Sequence, residues 1–393
     1  MAEGITRITV KGFKSIADEI SIEIRPLTIL AGANSSGKSS IMQPLLMMKQ
    51  TLEAPYDPGP LLIDGPNVRF TSAEQFLSRM DGEGMGKFSM GLEVKSSLSF
   101  IETFVSKPQV GMEIAGISYK NEDGVTILRP DMKREEIIAA YPRWRRMKNQ
   151  EDVLKTDRRR CFLELKNIFN INSDEPSFIV TGLNSPFSKA ILSLIHVPAL
   201  RGNPERNYKK TSVGPMFPGT FEIYAASIIH HWQTNEDTRL NGLGTALEQL
   251  GLTWMVSSKK VDDVSFEVMV GRFFHNIDRS PKDLVSIADV GFGISQILPV
   301  IVALLTAGPG QLVYIEQPEI HLHPLAQTAM AQILADAANR GVKVVAETHS
   351  SLLLLGIQSL VAEGKLSPDK VKLHWFKRRP EDGVTEVSSA DLD

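Results

Sequence analysis

The chain has 393 residues, of which 42% are hydrophobic and 23% are charged. It is therefore long enough for two domains or for one core that carries a large insertion. Its net charge of −3 gives no overall attraction to nucleic acid or to an anionic membrane. The single cysteine, Cys161, excludes an internal disulfide framework and a cysteine-ligated zinc site.

The longest apolar run, residues 297–307, is shorter than the ~18 residues that a membrane-spanning helix needs. The run also contains Pro299. We therefore expect a soluble protein with no membrane association, in a reducing, cytoplasmic compartment.

The first eighty residues predict two strand-forming segments followed by a helix. β-Branched residues and partial alternation indicate strands in "ITRITVKGF" and "SIEIRPLTILAG", with a boundary at Pro26. From Lys38 onward, apolar residues recur at spacings of three and four, which predicts a helix. A strand, a loop and a helix are thus expected in direct succession.

Residues 81–284 are predicted to form a mixed insertion that acts as a lid or binds a partner. Alternation in "FSMGLEVKSSLSFIETFV" and "PQVGMEIAGISYK" indicates antiparallel strands. Residues 131–170 are basic and indicate helix, whereas "NPERNYKKTSVGPMFPGT" indicates irregular structure. Two helices are expected between Glu222 and Leu252.

From Gly291 onward, predicted helices and strands alternate regularly, which favours a mainly parallel sheet covered by helices. The predicted fold class is therefore α/β. Residues 1–80 and 285–393 are expected to form one nucleotide-binding core from two sequence halves, with an α+β insertion between them.

The segment "GANSSGKS" matches the phosphate-loop pattern G-x-x-x-x-G-K-[ST] at every fixed position. Glycines let backbone amides curl around an anion, the lysine reaches the outer phosphates, and the last serine supplies a hydroxyl for Mg²⁺. No Asn-Lys-x-Asp guanine-binding motif is present, which argues against a GTPase. The candidate nucleotide-binding residues are Gly32, Asn34, Ser35, Ser36, Gly37, Lys38, Ser39 and Ser40.

A second glycine-rich helix start occurs in "DVGFGISQILPVIVALL". Gly291 and Gly293 give access to the backbone there, and Ser295 supplies a hydroxyl, so the segment is a second candidate for anion binding. One chain rarely needs two such sites for one nucleotide. Two copies arranged head to tail would use both, which predicts a homodimer around ATP.

Together with "YIEQPEIHLHP" and "ETHS", these motifs resemble the head of an ABC-type ATPase of the RecF, SMC and OLD-like branch. The resemblance covers roughly residues 5–50 and 285–380, and is greatest to compact bacterial defence ATPases without a Toprim nuclease. It implies that ATP and Mg²⁺ bind, that Ser39 and Glu316 hold the metal, and that Ser295 acts across the dimer. It also implies that His349 senses the γ-phosphate, although a helix-capping role remains an alternative.

The acidic motif departs from this family at Gln317, where a catalytic glutamate is usual. A glutamine amide orients water but accepts no proton. Two interpretations follow: Glu319 takes over as the base while His349 helps to place the water, or hydrolysis is slow and the chain works as a clamp held by ATP. We expect a slow ATPase. The resemblance assigns His321 and His323 to a dimer-facing loop and not to a metal site.

Some assignments stay open. Gln50 and Gln75 are both candidates for the family's glutamine loop, and Lys14 is either a phosphate ligand or an exposed turn residue. Between Lys133 and Arg160, ten Lys/Arg face five Asp/Glu, a cluster suited to nucleic acid or to an acidic partner.

The leading hypothesis is an ATP-driven, dimerising switch or sensor in a bacterial defence or DNA-transaction system, as a dimer or a higher oligomer. Its effector, such as a nuclease or a toxin, would be a separate chain, because only about forty residues follow His349. The alternatives are a scaffold that holds ATP, and a DNA repair ATPase that grips DNA through its insertion.

Overall fold

The computed structural model describes residues 4–80, 83–95, 97–141, 153–169, 177–181, 183–272 and 283–392. In these ranges the helices are α1 (Lys38–Glu53), α2 (Arg134–Ala140), α3 (Ser185–Leu192), α4 (Glu222–Thr234), α5 (Arg239–Gln249), α6 (Phe292–Thr306), α7 (Pro324–Asn339) and α8 (Ser351–Ala362). The strands are β1 (Arg7–Lys11), β2 (Ile20–Glu23), β3 (Leu27–Gly32), β4 (Arg79–Met80), β5 (Glu83–Gly84), β6 (Lys87–Lys95), β7 (Leu98–Lys107), β8 (Gly111–Asn121), β9 (Gly124–Leu128), β10 (Val153–Arg159), β11 (Phe162–Phe169), β12 (Ser177–Thr181), β13 (Ile195–Val197), β14 (Tyr208–Lys209), β15 (Val256–Lys260), β16 (Ser265–Gly271), β17 (Leu284–Ser286), β18 (Leu312–Glu316), β19 (Lys343–Thr348), β20 (Val371–Arg378) and β21 (Thr385–Ala390).

A six-stranded sheet in the order β13-β18-β19-β3-β20-β21 forms the centre of the fold. Its strands are parallel except for the last pair, β20 and β21. All residues of β3 and β19 are buried, as expected for strands covered by helices on both faces. The predicted α/β class with a mainly parallel sheet is therefore confirmed.

The parallel sheet separates two hydrophobic cores, and β3 contributes to both. Leu27 and Ile29 belong to the core formed with α4, α6 and α7, whereas Leu30 belongs to the core on the side of α1. Because side chains of a strand alternate between its faces, this division follows directly from the apolar run in "LTILAG". The sheet edge that carries the carboxyl ends of β18, β19 and β3 is thereby held between two packed layers.

A second, antiparallel sheet has the order β2-β1-β6-β7-β8-β9. Residues 7–11 pair with residues 89–93 in it, so the sheet extends across the boundary that the sequence predicted at residue 80. The predicted boundary at residue 285 is crossed as well, because β13 is an edge strand of the parallel sheet. Pairings between such distant segments leave no local pattern in the sequence.

The helical prediction for residues 131–170 was wrong for most of the part that the structure describes. Only α2 is helical, and β10 and β11 form an antiparallel pair around a turn at Arg160, whose φ is +55°. The charges of this pair lie across the strands, as in the ion pair between Lys166 and Asp157, and not along a helix face. The two helices expected between residues 222 and 252 are present as α4 and α5.

None of the helices in the described residues is both long and apolar enough to span a membrane.

Candidate functional site

The phosphate loop joins the end of β3 to the start of α1, as the motif requires. Gly32 has a φ of +143°, and a Cβ atom there would lie 2.2 Å from the carbonyl oxygen of Phe376. Gly37 has a φ of +104°, and its Cβ would lie 2.5 Å from the hydroxyl of Thr385. Both positions therefore require glycine, because β20 and β21 press against the loop.

The hairpin of β20 and β21 also holds the loop through hydrogen bonds. The Thr385 hydroxyl donates to the carbonyl of Ser36 at 2.8 Å, and the Arg378 Nε donates to the carbonyl of Ser35 at 2.6 Å. Ser35 has a left-handed φ of +59°, which is uncommon for a residue other than glycine. The loop is thus fixed from one side by residues more than 340 positions later in the chain.

The other side of the loop has the properties of an anion site. Lys38 donates from Nζ to the carbonyls of Gly32, at 3.1 Å, and Ala33, at 2.7 Å, and burial lowers the pKa of its ammonium group. The first turn of α1 carries no acidic residue and no side-chain cap. The hydroxyl of Ser36 is buried and has no hydrogen-bond partner in the described structure. These features fit a bound phosphate.

The remaining predicted loop residues differ in exposure. Asn34 and Ser35 are exposed, whereas Ser40 is buried in α1.

Glu347, a residue that the sequence analysis did not single out, contacts the phosphate loop. The Ser39 hydroxyl donates to one carboxylate oxygen of Glu347 at 3.0 Å, and the Tyr314 hydroxyl donates to the other at 2.9 Å. Burial is the main cause that raises the pKa of Glu347. Ser39 was predicted to share a metal ion with Glu316, but in this structure its hydroxyl contacts Glu347.

Glu316 ends β18 and is held from the side of β13. One carboxylate oxygen lies 3.3 Å from His196 Nε2, and the other accepts a hydrogen bond from the Ala199 amide at 3.2 Å. His196 is buried, with its Nδ1 3.0 Å from the side-chain oxygen of Asn67. Burial alone would raise the pKa of Glu316, but these contacts hold it below the ordinary value.

Gln317 lies at the start of the loop after β18 in a left-handed conformation, with a φ of +46°. Its backbone amide donates to the backbone carbonyl of Glu347 at 2.8 Å, and this bond connects the loop to β19. The guanidinium of Arg201 donates to the carbonyls of Glu316, at 2.6 Å, and Gln317, at 3.1 Å. Burial lowers the pKa of Arg201 to about 10, so it stays charged at neutral pH.

Glu319 and His349 are directly connected. One carboxylate oxygen of Glu319 accepts hydrogen bonds from the Thr348 hydroxyl, at 2.6 Å, and from the His349 amide, at 3.1 Å. The other oxygen is buried without a hydrogen-bond partner among the described residues. His349 is exposed, and partial burial together with the charge of Lys38 lowers its pKa.

The second predicted anion site lies at the start of α6. Gly291 precedes the helix, and a Cβ atom there would meet no atom within 4 Å. The Ser295 hydroxyl donates to the carbonyl of Phe292 at 2.9 Å, and Gly293 faces the backbone of His321. The first turn has neither an acidic residue nor a side-chain cap. The N-terminal end of α6 therefore lies beside the loop that follows β18.

The residues with open assignments make contacts within their own chain. Gln50 is buried in α1, where its side-chain oxygen accepts hydrogen bonds from the amides of Asn67 and Val68, so it supports a loop of its own chain. Lys14 lies over the ring of Phe70, with Nζ 4.7 Å from the ring centre.

Gln75 bonds locally to the backbone amide of Thr71. His323 accepts a hydrogen bond from the Leu325 amide at the start of α7.

The predicted basic cluster is only partly described. Its residues 142–152 lie outside the described ranges. Of the rest, Arg158 forms a bidentate pair with Asp57, and Arg160 donates to the carbonyl of Thr51. These two arginines connect β10 and the following turn to the end of α1.

Sequence reasoning missed Glu347, Arg201 and His196. A signal existed for Glu347, since it belongs to the "ETHS" motif and ends a buried strand beside the phosphate loop. His196 belongs to β13, and Arg201 follows it. Strand β13 pairs with β18 across more than a hundred residues, and no short motif marks that pairing.

A family model described as "AAA domain, putative AbiEii toxin, Type IV TA system" matches residues 27–355. No curated protein matches the sequence significantly. A crystal structure of an SMC head bound to the C-winged helix domain of ScpA has 12% sequence identity and a TM-score of 0.55, and the match covers 99% of this chain and 98% of that one.

Two other SMC heads are similar at lower scores. One is from Thermotoga maritima, with 10% identity, a TM-score of 0.43 and coverage of 98% of this chain and 99% of that one. The other, with an extended coiled coil, is bound to the C-terminal domain of ScpA derived from Pyrococcus furiosus; it has 12% identity, a TM-score of 0.49 and coverage of 99% and 97%.

The match to the family model covers most of the chain, and the SMC head with the TM-score of 0.55 shows the same fold along its whole length. The predicted ABC-type ATPase head is therefore confirmed as the fold, and the chain belongs to the family described as "AAA domain, putative AbiEii toxin, Type IV TA system".

Proposed function

We propose that this chain is an ATPase that binds ATP and Mg²⁺ and hydrolyses ATP slowly. The observation that carries the proposal is the meeting of the phosphate loop with the acidic strand ends, where the Ser39 hydroxyl lies 3.0 Å from Glu347. Hydroxyl and carboxylate oxygens are the donors that Mg²⁺ prefers. A magnesium ion bound there with ATP would neutralise charge on the phosphates. Family membership supports ATP as the nucleotide.

Slow turnover follows from the chemistry of Gln317. Its amide orients a water molecule but cannot take the water's proton. Glu319 offers one buried oxygen without a partner among the described residues, which makes it the candidate base. Its other oxygen holds the backbone of His349, the candidate for placing the water. Loss of a general base costs ~10²–10⁴-fold, which still permits turnover.

Calorimetric titration with ATP and a phosphate-release assay test this proposal on the purified chain. Lys38→Ala removes the charged ligand of the outer phosphates, so we expect ATP affinity to fall roughly 10–100-fold and phosphate release to stop. Lys11→Ala, at an exposed lysine on β1, is the matched control. Unchanged affinity in Lys38→Ala would contradict the phosphate-loop assignment.

One alternative has a specific observation in its favour. Gln317 in place of a carboxylate equally suits a scaffold that holds ATP without turnover. Tight ATP binding with no phosphate release in the parent chain would favour this scaffold over the ATPase.

We further propose that two chains close head to tail around ATP, with the start of α6 facing the partner's nucleotide. The open, uncapped helix start at Gly291 supports this arrangement, as do the exposed side chains of Phe292 and Leu325 on the same side of the molecule as the loop after β18.

A substitution at Gly291 tests the dimer without disturbing the monomer. Its φ of −61° and its free surroundings accept any side chain. Gly291→Glu places a negative charge where the partner's phosphates would lie, so we expect ATP binding to persist while dimer closure is lost. Gly291→Ala is the control and should close normally. Sedimentation velocity with a non-hydrolysable ATP analogue measures both, and a closed Gly291→Glu dimer would rule out this arrangement.

For the biological role, we propose a cytoplasmic switch or sensor in bacterial defence, acting as a dimer or higher oligomer through a nuclease or toxin in trans. The description of the family as part of a type IV toxin–antitoxin system supports the defence setting. The SMC head bound to a winged-helix domain supports the idea that a head of this fold takes a partner protein.

A DNA repair ATPase is the other alternative. Neutralising Arg143, Arg145 and Arg146 should abolish salt-dependent DNA binding if that alternative is correct.

A further inference from the structure

The two carboxylates at the edge of the parallel sheet have different partners. Glu316 ends β18 and Glu347 lies beside it in register on β19, which is the strand next to β3. The Glu347 carboxylate contacts Ser39 of the phosphate loop, whereas the Glu316 carboxylate contacts His196 and the Ala199 amide, towards β13. The position nearest the phosphate loop thus belongs to Glu347.

The contacts of Glu347 also fix its orientation. The Tyr314 hydroxyl donates to the carboxylate oxygen that Ser39 does not use, at 2.9 Å, and Tyr314 is fully buried. Glu347 itself is 5% exposed. Outer contacts of this kind orient a metal ligand and tune its affinity. The carboxylate is thus held in place by a buried tyrosine while it contacts the loop serine.

In phosphate-loop NTPases the loop serine and an acidic residue at the end of a strand of the same sheet together hold the magnesium ion. Resting on the proposed ATPase function, we infer that Glu347 belongs to the magnesium site and holds the metal shell at Ser39, with Tyr314 as its positioning residue. Glu316, which the family resemblance assigns to this role, then stands one strand further from the loop and is held by His196.

The test measures metal binding directly. Mn²⁺ binding to the full chain is followed by electron paramagnetic resonance with a non-hydrolysable ATP analogue present. We expect Glu347→Gln to weaken Mn²⁺ affinity about 10–100-fold. ATP affinity in EDTA should not fall, because Lys38 and the loop backbone are unchanged. Glu316→Gln is the matched variant, with the same change one strand away.

The outcomes separate the inference from the proposed function. Parent-like Mn²⁺ affinity in Glu347→Gln overturns the inference, whatever Glu316→Gln does. Reduced affinity in Glu347→Gln, alone or together with Glu316→Gln, supports it. A parent chain that binds no ATP analogue with or without Mn²⁺ contradicts the proposed function itself.

A second variant covers the case in which Glu347→Gln does not fold. Tyr314→Phe leaves the carboxylate and its charge in place but removes one of its two anchors. We expect a smaller loss of Mn²⁺ affinity, of a few-fold, with ATP affinity in EDTA unchanged. Unchanged Mn²⁺ affinity in a folded Tyr314→Phe protein would count against Tyr314 as the positioning residue and against the inference.

Discussion

Two buried glutamates, one in each of the two six-stranded sheets, differ in how their carboxylates are hydrogen-bonded. Glu347, in the parallel sheet, receives hydrogen bonds on both carboxylate oxygens. Glu102, in strand β7 of the antiparallel sheet, is fully buried, and neither of its carboxylate oxygens has a hydrogen-bond partner in the described structure. Burial raises the pKa of both groups, that of Glu102 well above its ordinary value.

The carboxylate of Glu347 has hydrogen-bond donors that stabilise it, whereas that of Glu102 has none in the described structure and lowers the stability of the fold. A buried charge is tolerated when partners replace the water it has lost, and Ser39 and Tyr314 do so for Glu347. Glu102 has Met90 and Ile117 as its strand neighbours, and burial there favours its neutral form. Four experiments test this contrast.

The largest effect is expected from restoring a carboxylate at residue 317, in the loop after β18. Gln317→Glu supplies a group that can accept the water's proton, so phosphate release should rise on the order of 10²-fold. The left-handed backbone at this residue adds no new penalty, because glutamate and glutamine have the same shape up to the last atom. A phosphate-release assay measures the effect. A rate equal to the parent's would show that the missing base does not limit turnover.

Removing one anchor of Glu347 should destabilise the protein. Tyr314→Phe leaves a buried carboxylate oxygen without its donor, at a cost of about 1.5–3 kcal/mol in the free energy of unfolding. Tyr224→Phe serves as the control, because its hydroxyl donates to the Pro218 carbonyl in an exposed setting. Urea denaturation compares the two. Equal losses in both variants would mean that the hydrogen bond to Glu347 contributes no more to the free energy of unfolding than an exposed one.

Removing the unpartnered carboxylate should instead stabilise the protein. Glu102→Met keeps a similar shape and replaces the buried polar group with an apolar one, so the free energy of unfolding should rise by about 1–3 kcal/mol at pH 7. Glu122→Met, at an exposed turn, should change it by less than about 0.5 kcal/mol. A destabilised Glu102→Met protein would point to a partner that compensates the carboxylate.

The smallest effect is the pH dependence of that gain. Since the pKa of Glu102 is raised in the folded state, its neutral form fits the fold, and the penalty appears only above the ordinary glutamate pKa. The advantage of Glu102→Met should therefore shrink as the pH falls towards about 4.5. Parallel urea titrations at pH 4.5 and pH 7 measure it. A gain independent of pH would separate the effect from ionisation.

The sequence predicted the parts of the site that are local in the chain. Gly32 to Ser39 and the start of α6 are short motifs whose strand and helix context is also local. Glu347 was missed because the "ETHS" motif was interpreted only through its histidine, His349. The contacts of His196 and Arg201 depend on β13 joining the parallel sheet, and such long-range pairing is decided by the packing of the whole core. Residues 153–169 were predicted to be helical from their basic composition, whereas they form the two strands β10 and β11.

The contacts between the phosphate loop and the last two strands have a consequence for synthesis of the chain. Thr385 contacts Ser36 across 349 positions, and Phe376 and Arg378 also border the loop. During translation, the loop therefore emerges from the ribosome long before the strands that shape it. A nascent or proteolysed chain that lacks residues 371–390 is expected to have no formed nucleotide site, so ATP cannot assist early folding and binds only once the sheet is complete.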